Sequence, residues 1–431
     1  MDIHSNQYFA INLNVRGIQP SATLRINEHS NELMAAGRRI IKLGLGQSPF
    51  PVPPSVVQSL RDNAWQKDYL PVKGLKRLRQ AIADYSNRSQ GVKARAEDVL
   101  VGPGSKELLF LLQLAFYGDL LIPRPSWVSY APQARIIGRT VHWLPTHARN
   151  NWQLTADELD IICRDDPTRP RILIINYPSN PTGCTYSDEQ LLAIANVARK
   201  YKLVLLSDEI YSELHYQGQH KSIARYYPEG TIISNGLSKW CGAGGWRLGY
   251  CVFPEELRPL QDAMAIIASE TFTATSAPIQ YAAVSAFEGS EAISDYLHHS
   301  RRILSALGDY FYRRLTAMGL DLAAPQGGFY VFPDFSAYQQ ALAKRDIRTS
   351  AALATALLEE TGVAMLPASD FGFLPDTLST RMAFVDFDGQ QALDLAMADY
   401  QDQDIDEAFI HSACPRLEQA LDALGHWLDT L

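Results

Sequence analysis

Four groups of polar or charged residues stand directly after runs that are typical of buried strands. They are Asn180, Asp208, Lys239 and the tripeptide Gly104-Ser105-Lys106. In open α/β sheets, ligands bind beyond the carboxyl ends of the strands. The spacing therefore predicts that an amine, a carboxylate and several hydrogen-bond donors face one ligand at the same edge of a sheet.

The amine and the carboxylate fit one kind of chemistry. Lys239 can form a Schiff base with an aldehyde cofactor and can afterwards move a proton at the substrate Cα. Asp208 can pair with a pyridine nitrogen and keep it protonated, so that the ring accepts the electrons of Cα. Asn180 and Tyr211 can donate to the phenolate oxygen of the ring, which lowers the pKa of the imine.

The remaining group fits an anion. The amides around Gly104-Ser105-Lys106 lie where a helix is predicted to begin, and the N-terminus of a helix binds phosphate. Arg247 follows Lys239 in the same glycine-rich segment and adds a guanidinium that can hold a phosphate bidentately. These residues therefore indicate a phosphorylated cofactor.

Each motif also has a purely structural interpretation. Asn180-Pro-Thr-Gly183 is a common turn sequence, and an Asp at a strand end is often a cap. A lysine in a glycine-rich loop is often only solvated, and a Gly-Ser pair often only begins a helix. Because all four motifs occur together, in this order and at strand ends, the chemical interpretation is favoured.

The chain resembles the class I and class II aminotransferases, whose fold is PLP fold type I, the aspartate-aminotransferase fold. The motifs that carry this resemblance are Asn180-Pro-Thr-Gly183, Ser207-Asp-Glu-Ile-Tyr211 and Ser238-Lys-x-x-Gly-x-x-Gly-x-Arg247. The resemblance implies pyridoxal 5'-phosphate (PLP) as the cofactor and Lys239, Asp208 and Tyr211 as the catalytic residues. The other implied cofactor-binding residues are Gly104, Ser105, Lys106, Trp127, Asn180, Ser238, Arg247 and Tyr69.

Further segments extend the resemblance through nearly the whole chain. Pro123-Arg-Pro-Ser-Trp127 resembles the segment whose aromatic ring stacks on the pyridine, and Gly46 begins a stretch that resembles an early family motif. Tyr69 matches a tyrosine that reaches the phosphate of the neighbouring subunit, which implies a homodimer with shared active sites. Arg381 matches the arginine that binds the substrate α-carboxylate, a role that suits its planar fork. The implied substrate-binding residues are Gly46, Trp127, Asn180 and Arg381.

The sequence departs from the family pattern in three ways. Gly236 stands where the family usually has a serine that contacts the phosphate, although Ser238 is retained. Ser48-Pro49 replaces the family's Pro-Asp pair. No second arginine can be placed against an acidic substrate side chain, so the sequence gives aspartate specificity no support.

The elements that must position these residues alternate between strand and helix patterns from about residue 95 to 255. Strands are predicted at 99–101, 120–122, 141–143, 172–176, 204–207, 232–234 and 249–253. This alternation is typical of α/β proteins, and the resemblance implies a large domain, residues 46–300, with a mostly parallel seven-stranded sheet covered by helices. A long helix at 291–318 and short strands near 329, 363 and 382 indicate a smaller α+β domain, residues 1–45 and 301–431.

Length and charge limit the number of domains and the kinds of partner that the protein can have. A chain of 431 residues favours two domains. The net charge of −8 argues against nucleic acid or an anionic membrane as the main partner. The five cysteines form no C-x-x-C pair, which favours buried thiols in a reducing compartment. We find no secretory signal and no metal motif, and we expect a cytoplasmic protein.

The sequence thus favours an aminotransferase that moves an amino group between an L-amino acid and a 2-oxo acid, through a PLP Schiff base on Lys239. The main alternative keeps the cofactor and changes the outcome, as in a C–S lyase or another elimination or cyclisation enzyme. A PLP-binding regulator would need an added basic DNA-binding segment, and none is found. A nicotinamide-binding enzyme would need G-x-G-x-x-G after the first strand, which is also missing.

Overall fold

The computed structural model describes residues 11–18, 20–401 and 403–431. The strands, in chain order, are β1 (Ile41–Lys42), β2 (Val99–Gly102), β3 (Asp119–Pro123), β4 (Val141–Leu144), β5 (Arg171–Asn176), β6 (Val204–Asp208), β7 (Thr231–Gly236), β8 (Gly249–Val252), β9 (Tyr330–Val331), β10 (Val363–Ala364), β11 (Leu366–Pro367) and β12 (Thr380–Ala383). The helices are α1 (Ala22–Ala35), α2 (Pro54–Asn63), α3 (Lys76–Ser89), α4 (Ser105–Ala115), α5 (Tyr130–Ile136), α6 (Ala156–Arg164), α7 (Asp188–Lys200), α8 (Arg258–Thr271), α9 (Ala277–Glu288), α10 (Glu291–Ala317), α11 (Gln339–Lys344), α12 (Ser350–Thr361), α13 (Gly389–Ala398), α14 (Glu407–Ala413) and α15 (Pro415–Asp429).

The large sheet has the order β2-β8-β7-β6-β5-β3-β4. The strands from β7 to β4 run parallel to their neighbours, whereas β8 is antiparallel to both β2 and β7. The predicted mostly parallel sheet of seven strands is therefore confirmed. Each of the seven strands also lies where the sequence pattern predicts it.

Helices cover both faces of this sheet, as the apolar runs of its central strands require. Along β5, Ile172 and Ile174 pack in a cluster with α4 and α8. The alternate residues Leu173 and Ile175 pack in a second cluster with α6 and α7. Successive side chains of a strand point to opposite faces, so one short run supplies both layers.

The second half of the chain builds smaller sheets. The predicted long helix is α10, and the order β11-β12-β9 forms an antiparallel sheet near it. β1, from the N-terminal part of the chain, pairs in parallel with β10. The strands predicted near 329 and 382 are β9 and β12 with slightly shifted ends, whereas the one predicted near 363 is two short strands, β10 and β11, in different sheets.

Parallel pairing brings the functional residues to one edge of the large sheet. Asn176 and Asp208 are the last residues of β5 and β6 and are partners in the sheet register. Asp208 is also in register with Ser234 of β7, five residues before Lys239 in the chain. The carboxyl ends of three adjacent strands therefore open onto the same space.

Two smaller predictions from the sequence, a capping box and buried cysteine thiols, also hold among the described residues. The predicted capping box at the start of α7 is confirmed, since Gln190 N donates to Ser187 Oγ at 3.3 Å and Ser187 N donates to Gln190 Oε1 at 2.8 Å. All five cysteines are buried as free thiols. In the part of the chain that the structure describes, no helix is long and apolar enough to cross a membrane.

Candidate active site

A cavity of about 460 Å³ opens at the carboxyl edge of the large sheet, a size usual for small-molecule sites. Of the residues predicted from the sequence, the cavity is lined by Gly46, Ser105, Lys106, Trp127, Asn180, Asp208, Tyr211, Ser238, Lys239, Arg247 and Arg381. Gly104 lies at its edge, against Arg247. Tyr69 does not line it and is 92% exposed.

Lys239 follows β7, and its amine points to the opposite wall of the cavity. Nζ donates to the carbonyl oxygen of Gly46 at 2.6 Å. Burial, and secondly the positive charge of Arg381, lower the pKa of Lys239 to about 8, although Asp208 acts in the opposite direction. A larger fraction of the amine is therefore neutral near pH 7 than in an ordinary lysine, and only the neutral amine is a nucleophile or a base.

Asp208 is held firmly but is left with one open acceptor. Asn176 Nδ2 donates to its main-chain oxygen at 2.8 Å, and the Tyr130 hydroxyl donates to Oδ2 at 2.5 Å. The other carboxylate oxygen, Oδ1, is buried and has no hydrogen-bond partner. Burial raises the pKa of Asp208 to about 6. An N–H donor of a ligand ring would satisfy Oδ1, which is the bond that a pyridinium nitrogen makes.

Asn180 and Tyr211 present donors beside this carboxylate. Asn180 N donates to Asn176 Oδ1 at 2.8 Å, so the end of β5 fixes the turn. Asn180 Oδ1 accepts from Arg381 Nη1 at 3.2 Å, which leaves the amide NH2 free to donate into the cavity. The Tyr211 hydroxyl lies 2.8 Å from the Tyr330 hydroxyl.

Arg381, on β12, is 1% exposed, and its guanidinium carbon lies 4.7 Å from the centre of the Tyr330 ring and 5.3 Å from that of Phe371. Nη2 donates to the main-chain oxygen of Gly44, but the buried Nε has no partner. An unpaired buried N–H is costly, so the site is incomplete without an acceptor there. A substrate carboxylate supplies such an acceptor.

The opposite end of the cavity is built for an anion. α4 begins at Ser105, and its N-cap Gly104 has φ +92°. A Cβ on Gly104 would lie 2.3 Å from Arg247 Nη2, so only glycine lets this guanidinium rest against the helix N-terminus. Arg247 is itself held in the left-handed region, with φ +55°, and donates to Gly244 O at 2.8 Å. Backbone N–H groups and a guanidinium thus converge where a phosphate would bind.

The structure explains one departure and adds residues that the sequence pattern did not reveal. A Cβ on Gly236 would lie 2.6 Å from the main-chain oxygen of Leu248 on the path into β8, so the local strand pairing requires glycine. Tyr130, Tyr330 and Asn176 were not predicted as site residues. Asn176 does carry a signal, a polar side chain that ends a buried strand, whereas the two tyrosines are ordinary core residues by pattern.

The fold and this donor set define a PLP-dependent transferase of fold type I. The model of the family "Aminotransferase class I and II" matches residues 38–395, and the chain belongs to this family. PLP is therefore the cofactor and transamination the reaction. When bound, PLP supplies the aldehyde that condenses with amines and the ring that accepts electrons from Cα.

Relatives and solved structures agree with this assignment. An aspartate aminotransferase of Geobacillus stearothermophilus is 34% identical over 86% of this chain and 93% of its own length. An asparagine–oxo-acid transaminase of Streptococcus mutans is 32% identical, with 82% and 90% covered. The structure of the Thermus thermophilus aspartate aminotransferase with maleate matches with a TM-score of 0.83 and 28% identity, covering 97% of this chain and 99% of that one.

Proposed function

We propose that the protein transfers the amino group of an acidic L-amino acid, aspartate or a close analogue, to a 2-oxo acid through a Schiff base on Lys239. The observation that carries the proposal is a pair of buried, unpartnered atoms on two residues that line the cavity, Asp208 Oδ1 and Arg381 Nε. The first accepts from the ring nitrogen and the second donates to the substrate α-carboxylate. The amine of Lys239 lines the same cavity.

Each side chain has a definite task in this proposal. Lys239 would hold the aldehyde of the cofactor, and its amine, once displaced by the substrate amine, would take the proton from Cα. Asp208 keeps the ring nitrogen protonated, while Asn180 and Tyr211 donate to the ring oxygen. Trp127 bounds the ring on one face. The amides of Gly104, Ser105 and Lys106, together with Ser238 and Arg247, hold the phosphate, and Gly46 shapes the substrate side.

A further cation of the cavity, besides Lys239, Arg247 and Arg381, supports an acidic substrate. Lys106 Nζ lies 5.5 Å from the centre of the Trp127 ring. Burial, and secondly the charge of Arg247, lower the pKa of Lys106, so a bound carboxylate would stabilise its charged form. Relatives of this chain are named aspartate aminotransferases, and one was solved with maleate, a dicarboxylate. In this proposal Lys106, rather than a second arginine, binds the side-chain carboxylate of the substrate.

A half-reaction screen tests the function. Purified enzyme is mixed with single amino acids while the cofactor spectrum is followed, and oxo acid, ammonia and sulfide are assayed separately. We expect aspartate to convert the cofactor with one equivalent of oxo acid formed. Release of ammonia or sulfide would instead support the lyase alternative.

A pair of lysine variants tests the substrate class. Lys106→Met is expected to raise the KM for aspartate about tenfold or more, because one hydrogen bond to a charged group is worth about 1.5–3 kcal/mol. The KM for alanine should change much less. Lys93→Met, at an exposed lysine on the loop after α3, is the control and should change neither value. An equal loss for both substrates would assign the Lys106 side chain to the cofactor.

The proposal includes an obligate homodimer whose active sites are shared. Tyr69 is 92% exposed and Trp65 is 72% exposed, which is unusual for large aromatic side chains. The segment that carries them is tied to α8 by Lys73, whose Nζ lies 2.6 Å from Asp262 Oδ1. A second copy that covers this segment would bring Tyr69 to the neighbouring phosphate.

We also propose that the two domains divide as the sequence indicates and that the protein is cytoplasmic. The seven strands of the large sheet fall within residues 46–300, and β9 to β12 fall within 301–431. β1 lies within 1–45 and pairs with β10, which supports assigning the described N-terminal residues to the smaller domain. Five buried free thiols fit a reducing compartment, the cytoplasm.

A further inference from the structure

Tyr330 is a buried polar residue at the centre of the site that none of the assigned roles uses. It begins β9, lines the cavity and is 1% exposed. Its hydroxyl lies 2.8 Å from the hydroxyl of Tyr211, and the guanidinium carbon of Arg381 lies 4.7 Å from the centre of its ring. One side chain therefore contacts both the residue that faces the cofactor and the residue that faces the substrate.

We propose that Tyr330 is a positioning residue for transamination, whose hydroxyl orients the Tyr211 proton toward the cofactor and whose ring supports Arg381 in its carboxylate-binding position. This inference rests on the proposed roles of Tyr211 and Arg381. It adds a residue that acts through both of them and touches no reacting atom.

The direction of the hydrogen bond between the two hydroxyls follows from what each hydroxyl can donate and accept. A phenol carries one proton and accepts through its oxygen lone pairs. The ring oxygen of the cofactor is anionic and can only accept, so the hydroxyl of Tyr211 must donate its single proton to that oxygen. The bond between the two tyrosines must then run from Tyr330 to Tyr211. Successive hydrogen bonds polarise one another, so Tyr330 strengthens Tyr211 as a donor.

The ring of Tyr330 supports the guanidinium of Arg381. Arg381 is attracted to this ring as a cation over an aromatic face, and the Phe371 ring also lies within 5.3 Å of the guanidinium carbon. A Cβ on Gly46 would lie 1.9 Å from the Tyr330 hydroxyl oxygen, so glycine is required there to leave room for this ring. Gly46 thus serves the substrate site partly by making space for Tyr330.

Two substitutions separate the hydroxyl from the ring. Tyr330→Phe removes only the hydroxyl, whereas Tyr330→Leu removes the hydroxyl and the ring. Tyr338→Phe is the matched control, because the Tyr338 hydroxyl donates to Met318 O at 2.7 Å, away from the cavity. The readouts are the spectrophotometric pKa of the linkage between Lys239 and the cofactor, and the affinity for maleate. The charged or titratable groups that face this linkage are Asp208 on β6, Tyr211 after β6, Arg247 before β8 and Arg381 on β12.

We expect Tyr330→Phe to raise the linkage pKa by about 0.5–1 unit, because a weaker Tyr211 donor stabilises the deprotonated linkage less. Its maleate affinity should stay within about twofold of wild type. Tyr330→Leu should show the same pKa shift and should also weaken maleate binding about fivefold or more. Tyr338→Phe should change neither readout.

Two outcomes would overturn the proposal. One is a Tyr330→Phe titration that matches wild type or Tyr338→Phe, and the other is equal loss of maleate affinity in the Phe and Leu variants. Tyr211→Phe distinguishes this result from a failure of the proposed function. If Tyr211→Phe leaves the linkage pKa unchanged, the role of Tyr211 itself is wrong.

Discussion

Two neighbouring carboxylates at the end of β6 face opposite sides of the sheet and have opposite environments. Asp208 faces the cavity with one side-chain bond, from Tyr130, and leaves Oδ1 open. Glu209 is fully buried and saturated. Its carboxylate accepts hydrogen bonds from Ser207 Oγ, Ser222 Oγ, Gln90 Nε2 and His220 Nε2. In the proposed function the carboxylate with the open oxygen binds the ligand, whereas the saturated one stabilises the fold through its four hydrogen bonds.

The comparison identifies Asp208 as a group whose incomplete pairing lowers the stability of the cofactor-free fold. Burial raises the pKa of Asp208 to about 6 because Tyr130 and the amide of Ile210 offset only part of the desolvation. A buried charge without full pairing is destabilising until a ligand completes it. In the proposed function, a cofactor that donates to Oδ1 would therefore stabilise the fold at this carboxylate.

Lys239→Ala should have the largest effect, because its amine donates to the carbonyl oxygen of Gly46 in the cavity and lies close to Asp208. We expect activity at the background level with the fold intact, measured by turnover and circular dichroism. Borohydride reduction of wild-type protein, followed by peptide mass spectrometry, should find the cofactor on Lys239. A label on Lys106 or another lysine would show that the assignment is wrong.

Asp208→Ala should reduce turnover by about 100-fold or more, equivalent to about 3 kcal/mol of transition-state stabilisation. The cofactor should still bind in part, because the phosphate end of the cavity is unchanged. Glu209→Gln is the matched variant one residue away and should keep most of the turnover of folded enzyme. Near-normal turnover in Asp208→Ala would refute the role of the carboxylate.

The stability of the cofactor-free protein should change in opposite directions at the two positions. The pKa of Asp208 is raised from 3.8 to about 6 in the folded state, so this group lowers stability progressively as the pH rises from about 4 to 6. Asp208→Asn should therefore stabilise the cofactor-free protein at pH 7 by about 2–3 kcal/mol. Glu209→Gln should destabilise it by about 1–3 kcal/mol, because buried donors lose their acceptor.

Urea unfolding at pH 4.5 and pH 7 measures both changes. The gain from Asp208→Asn should be smaller at pH 4.5, where most of the Asp208 in the folded wild-type protein is already protonated. If both variants destabilise the cofactor-free protein equally at pH 7, the contrast between the two carboxylates does not hold.

Tyr69→Phe should have the smallest effect, a loss of one charge-assisted hydrogen bond worth about 1.5–3 kcal/mol. We expect the affinity for the cofactor to fall about tenfold or more, as measured by dialysis. The dimer should persist, as measured by sedimentation. Heterodimers of Tyr69→Phe and Lys239→Ala chains test the sharing. One fully normal site per heterodimer is expected, and a defect that follows the Tyr69→Phe chain's own Lys239 would mean that Tyr69 acts within its chain.

The sequence predicted the parts of the site that depend on local order. Strand runs of four to six residues fixed which side chains stand at carboxyl ends, so Asp208 and the Asn180 turn could be located before any fold was known. The sequence singled out Gly46 and Gly104 as binding residues and Gly236 as a departure from the family pattern, but it could not explain why these positions are glycine. Their reasons are close approaches to Tyr330, Arg247 and Leu248, which are far away in the chain or on another element.

By itself, then, the sequence determined the strand ends, the order of the elements and the types of residue that the chemistry requires, because these follow from local periodicity and motif spacing. Only the tertiary structure decided that Tyr130 bonds Asp208 from 78 residues away and that Tyr330 bonds Tyr211 from 119 residues away. Such contacts depend on which strands become neighbours and how β9 and β12 pack on the cavity. That packing is set by the burial of the whole core and leaves no periodic trace around either tyrosine.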